Sequence, residues 1–171
     1  MSQMTTTDNM CILSANDGVN ITVPLDIAKV SITISNMLED LGEMGQEGED
    51  NIIPIPNING AVLKKIYTFC EYIHNNPMEL QNLQTWLDDK TFTVPLSKWF
   101  NEYLNVDQQT MFEVILGANF LDIQSLLNMQ CKHVATIIRN KTPDELRVLF
   151  ANQSTAAVGA PTEEQAGVVD A

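Results

Sequence analysis

The chain has 171 residues, 22 acidic and nine basic, for a formal net charge of −13. That length makes one domain with an appendage, and an apolar content of 44% suffices for a core and is too high for wholesale disorder. A polyanion of this strength is repelled by nucleic acid and by anionic membrane, so neither is expected as a partner. No apolar run reaches the ~20 residues of a membrane span, and the first residues lack the basic start and apolar stretch of a signal peptide. Three sparse cysteines, Cys11, Cys70 and Cys131, make no disulfide framework. The expectation is a reduced, soluble chain inside the cell.

Residues 1–9 read as a disordered leader. Cys11–Ser14, the turn Ala15-Asn16-Asp17-Gly18 and Asn20–Val23 predict a hairpin. A short helical turn follows at Asp26–Lys29. Ser31 then caps a helix whose face is Ile34, Met37, Leu38 and Leu41, closed by Gly42. The acidity gathers next, with six acids between Glu39 and Asp50. The stretch 42–51 reads as a solvated acidic loop, because its glycines stand among acids and cannot cradle phosphate, and its acids lack calcium-loop spacing. Ile52-Ile53-Pro54-Ile55-Pro56 is β-rich, and its prolines confine it to a sheet edge.

Asn59 predicts a cap for the clearest helix, with Val62, Leu63, Ile66, Phe69, Cys70 and Ile73 at 3.6-residue spacing and Asn75-Asn76-Pro77 as its stop. Residues 78–96 are ambiguous, with an apolar patch of Leu80, Leu83, Trp86 and Leu87. Pro95 opens a helix through Trp99, Phe100, Tyr103 and Leu104. Asp107 caps another carrying Met111, Phe112, Ile115 and Leu116. Ile123, Leu126, Leu127, Cys131, Val134, Ile137 and Ile138 define the next. Thr142-Pro143-Asp144-Glu145 is a full helix start, Thr as cap and Glu reaching back to it. Leu146, Leu149 and Phe150 are its apolar face, and 151–171 reads as a flexible tail. The fold class is α+β, a small sheet with helices segregated from it.

Nothing in this pattern does chemistry. Cys70 and His74 share a helix face, but a structural zinc needs four ligands, and three Cys and two His without Cys-x-x-Cys do not supply them. Cys131 falls in an apolar stripe and is expected to be a small buried side chain. There is no nucleophile elbow, phosphate loop or zinc-binding helix, so the chain is expected to be no enzyme, with no catalytic residue, cofactor or metal.

Two long stretches carry a resemblance. Ser31–Gly42 with its acidic loop, Ile53-Pro-Ile-Pro-Asn-Ile-Asn59 and Leu63–Ile66 form one. Val106–Ile123, Leu126-Leu127, Cys131-Lys132, Val134-Ala135 and Lys141–Arg147 form the other. Together they are similar to the Skp-one family. The resemblance implies a BTB/POZ-type fold over 10–139, with a variable segment at 78–93 and a C-terminal helical extension at 140–150. It further implies an adaptor that bridges F-box proteins to a cullin in an SCF-type ubiquitin ligase. Carried over, Asn119 and Phe120 occupy the cullin-facing pair, where the family typically has Asn-Tyr. Met111, Phe112, Ile115, Leu127, Cys131, Val134 and Ile138 match F-box-facing positions, continued by Leu146 and Phe150. The chain departs from the family in lacking its C-terminal Trp-Cys pair and in replacing a charged loop with the apolar patch at 80–87. The alternative is a BTB-type structural protein that self-associates, as a homodimer or within a larger assembly, without a ligase role.

Overall fold

The hairpin turn is where the chain is first pinned. β1 (Met10–Ala15) and β2 (Asn20–Pro24) pair antiparallel from Met10 opposite Pro24 to Ser14 opposite Asn20. Gly18 closes the turn at φ +82°, a left-handed conformation that glycine adopts without strain. Asp17 accepts hydrogen bonds from the Val19 amide and, 3.1 Å away, from the Gly60 amide, which ties the turn to the start of a helix 43 residues on. Cys11, Leu13 and Ala15 alternate inward along β1, as a half-buried strand requires.

The computed structural model describes residues 10–43 and 52–157; the side chains of 42, 43, 150 and 152–157 are not described. The expected leader at 1–9, nearly all of the acidic loop and the tail from 158 onward therefore lie outside the described residues. After β2 come α1 (Leu25–Ala28) and α2 (Ile32–Glu43). β3 (Ile52–Ile55) then pairs parallel to β1, giving the sheet order β2-β1-β3. β3 is thus an edge, as its prolines predict.

α3 (Gly60–Asn75) is the central helix. The Asn59 side chain accepts from the Val62 amide at 2.9 Å, and Leu63, Ile66, Phe69 and Cys70 are fully buried. Each such aliphatic side chain contributes roughly 1.5–3 kcal/mol by leaving water. α4 (Pro77–Asp88) and α5 (Lys98–Leu104) follow, then α6 (Gln108–Leu121), α7 (Gln124–Arg139) and α8 (Pro143–Ala157). α6 packs directly on α3 and is flanked by α2, α7 and α8. Gly117 permits this approach: a Cβ there would meet the Ile66 Cδ1 at 2.6 Å.

Two expectations change. The ambiguous patch within 78–96 is a helix, α4, anchored by buried Leu83 and Trp86, while Leu80 and Met78 stay exposed. The last helix continues seven residues beyond 150, because Ala-Asn-Gln-Ser-Thr-Ala-Ala holds neither proline nor glycine to stop it. Its start is as predicted: Thr142 and Glu145 exchange hydrogen bonds at 2.8 and 3.3 Å with Pro143 first in the helix.

Candidate functional site

α6 presents different chemistry at its two ends. Met111, Val114, Ala118 and Leu121, spaced three and four apart, bury one face against the core. Phe112 and Ile115 are half-buried on its flank, and Leu116 is 69% exposed.

The C-terminal end of α6 is capped by the start of α2. The last carbonyls of a helix have no partner within it. Here the Thr33 hydroxyl donates to the Phe120 carbonyl at 2.8 Å and the Ser31 hydroxyl to the Leu121 carbonyl at 2.5 Å. Asp122 takes φ +53°, ending the helix in the left-handed region. Asn119 is therefore displayed, exposed, on a braced helix end, and Phe120 packs half-buried against the core. Leu116, one turn earlier, and the exposed Ile32 of α2 add apolar surface at this end. Sequence reasoning passed over both as site residues, although a polar side chain is what a solvent-facing position next to Ile115 ordinarily carries.

The other face spans α6, α7 and α8. Leu127, Val134 and Ile138 are half-buried along α7, and Leu146 is half-buried on α8. Cys131, expected to be buried, is exposed. The reason is rotational. Leu126, Met129 and Gln130 supply the fully buried face of α7, so the stripe of Leu127, Cys131, Val134 and Ile138 lies on its flank. Leu127 packs on the edge of the core, Val134 and Ile138 stay half-buried toward α6 and α8, and Cys131 faces solvent. Met111 is only 6% exposed and forms the floor rather than the surface of this face. Together with Phe112, His133, Val134, Ile138 and Leu149 it lines a cavity of about 70 Å³ beneath α8. Burial lowers the His133 pKa, favouring its neutral form in this apolar setting. Phe150 lies on α8, and its side chain is not described.

Half-exposed apolar side chains spread over three helices are suited to receiving another protein's apolar helices, not to bond-making chemistry. Among the described residues no group of three or more His, Cys, Asp or Glu is placed to hold a metal ion, and no helix is long and apolar enough to cross a membrane.

Comparison with known proteins fixes the lineage. Residues 9–75 match the profile of the Skp1 family tetramerisation domain, and 124–153 that of the Skp1 family dimerisation domain. A protein of Arthroderma benhamiae named E3 ubiquitin ligase complex SCF subunit sconC is 40% identical over 87% of this chain and 87% of its own. This chain belongs to the Skp1 family. Proteins of the same name from Aspergillus terreus and Neosartorya fischeri are 42% and 44% identical over 84% and 83% of this chain, and 84% and 85% of their own. The BTB/POZ-type fold expected from the resemblance agrees with the first match. The Skp1 dimerisation profile runs from the start of α7 into α8 and so contains the half-buried stripe; α6 lies between the two matched segments.

Proposed function

We propose that this chain is a non-catalytic adaptor subunit of an SCF-type ubiquitin ligase, working in the cytoplasm and nucleus. One face holds an F-box protein and the other a cullin. The observation that carries the reading is the half-buried apolar stripe on the flank of α7, beside Phe112 and Ile115, in a Skp1-family chain whose relatives are named SCF subunits. On this reading Phe112, Ile115, Leu127, Cys131, Val134, Ile138 and Leu146 receive the F-box over the Met111 floor, and Phe150 extends that face. Asn119 and Phe120 meet the cullin on the braced end of α6. The family's Asn-Tyr pair is Asn-Phe here, which removes at most one hydrogen bond, about 0.5–1.5 kcal/mol net. Leu116 and Ile32 add apolar contact beside it.

Affinity purification of the tagged full chain under gentle conditions tests this. F-box proteins and a cullin should co-purify, and the absence of both would overturn the proposal. Self-association is the rival, favoured by the exposed Leu116 and Val148. Light scattering at tens of micromolar decides it, since a monomer rules out strong self-association.

A further inference from the structure

α7 carries two cations, Lys132 and Arg139, on a face adjacent to its half-buried apolar stripe. Lys132 and Arg139 are seven apart, and Lys132 is turned about 100° from Cys131. The Lys132 ammonium donates to the carbonyl of Trp86 and to that of Asp89 at 2.6 Å, both at the C-terminal end of α4, where a cation also complements the helix dipole. It lies 4.7 Å from the centroid of the Trp86 ring and 5.0 Å from that of Phe92, while the Arg139 guanidinium stands 4.6 Å from the same Phe92 ring.

The chain after α4 is built to put Phe92 there. Asp89 accepts from the amides of Thr91, Thr93 and Val94 and from the Thr91 hydroxyl, curling residues 89–94 into a tight turn. Phe92 sits within it at φ +58°, a conformation costly for an aromatic residue and held only where the surroundings fix it. Beyond Gln130, meanwhile, no residue of α7 is buried. The half of α7 that holds Cys131, Val134 and Ile138 is thus secured by half-buried contacts and by this clasp.

We propose that Lys132 is a positioning residue: by locking α4 and its turn onto α7, it fixes the C-terminal half of α7 in the arrangement that receives the F-box. The inference rests on the adaptor reading above. Lys132 acts through the helix that presents Cys131, Val134 and Ile138, and α4 becomes a brace for the binding face instead of a passive surface element.

The test uses the full chain as wild type, Lys132→Met, Lys132→Arg and Asp89→Ala, with amide hydrogen exchange and calorimetric titration against one F-box domain. Lys132→Met should speed exchange in 77–94 and 131–139 while α3 and the core of α6 stay protected, and should weaken binding about tenfold. Lys132→Arg should restore both, and Asp89→Ala, which loosens the turn without touching the stripe, should reproduce the loss. Unchanged exchange at 131–139 in Lys132→Met would overturn the proposal. So would an Asp89→Ala chain that binds fully while Lys132→Met binds weakly, since that pattern means direct contact. A wild-type chain that binds no F-box domain would defeat the adaptor reading, and the exchange data would still decide whether Lys132 holds α7.

Discussion

The hydroxyl of Ser31 donates to the carbonyl of Leu121, ninety residues along the chain and 2.5 Å away, while accepting from the amide of Ile34 at 3.1 Å. One fully buried side chain therefore caps the start of α2 and satisfies the end of α6. Ser31→Ala should cost about 1–3 kcal/mol, since it removes a cap and leaves a buried carbonyl unpaired. Denaturant unfolding measures this, and a loss under ~0.5 kcal/mol would mean the bond is of no consequence. On the adaptor reading the same variant should also weaken cullin binding, because Asn119 and Phe120 stand on the helix end that Ser31 holds.

Phe112→Asp combined with Ile115→Asp should lower affinity for an F-box domain by at least ~30-fold, the ~2 kcal/mol typical of one interfacial hot spot. Both positions are half-buried on the flank of α6, so the fold should persist, as circular dichroism would report. Asn119→Ala with Phe120→Ala should do the reverse, weakening cullin binding and sparing the F-box. If each pair impaired both partners equally, the assignment of separate faces would be wrong.

Gln130 is fully buried on α7, and neither its Oε1 nor its Nε2 has a hydrogen-bond partner among the described residues. Desolvating an unpaired amide costs ~1–3 kcal/mol, so Gln130→Met, close in volume and shape, should raise stability by about 1 kcal/mol. A higher denaturation midpoint with an unchanged slope is the expected result. A destabilised variant would show that the amide has a partner such as bound water.

The three thiols should separate by reactivity. Cys131 is exposed, whereas Cys11 and Cys70 are buried, with their pKa values pushed up by burial to about 11 and about 12. In the native chain at pH 8 an alkylating reagent should modify Cys131 alone, and a bound F-box domain should protect it. Mass spectrometry of digested protein reads both outcomes, and rapid labelling of Cys70 would contradict its placement in the core.

The same burial makes the fold sensitive to alkali. The native thiols hold their protons more tightly than unfolded ones, whose ordinary pKa is 9.0, so stability is fully present below pH 9 and falls as pH rises through 11 and 12. Burial raises Tyr67 and Tyr103 as well, which steepens the loss. Equilibrium unfolding should show a plateau up to about pH 9 and a decline from there to pH 11, and a flat profile throughout would count against this account.

Much of the architecture is legible locally. Asn59, Asp107 and Thr142 each cap the helix their positions announce, and the prolines of β3 place it at an edge. α4 is harder to read because only Leu83 and Trp86 of its apolar residues are buried, and the turn ending it is made by the Asp89 side chain. Cys131 shows a different limit. Periodic apolar residues report that a helix buries a face, but the period is the same whether the cover is the protein's own core or a partner. On α7 both faces exist, with Leu126 and Met129 fully buried in the core and Leu127, Val134 and Ile138 half-buried on the flank. Only the neighbouring helices determine which is which. The clasp of Lys132 could not be foreseen, since it joins carbonyls 46 and 43 residues away.

Chain order sets when the core can be completed during synthesis, and Gly117 marks the contact that completes it. α6 lies close against Ile66 and Ile58 of the earlier half at a position that has no side chain, and this contact closes over α3. At ~5–20 residues per second, the ribosome takes about 2–9 s to lengthen the chain from the end of α3 to the end of α6. During that interval the faces of Ile58 and Ile66 that α6 will cover stay open on the nascent chain. The segment matching the tetramerisation profile ends before α6 begins, so the element that finishes its core arrives later in translation.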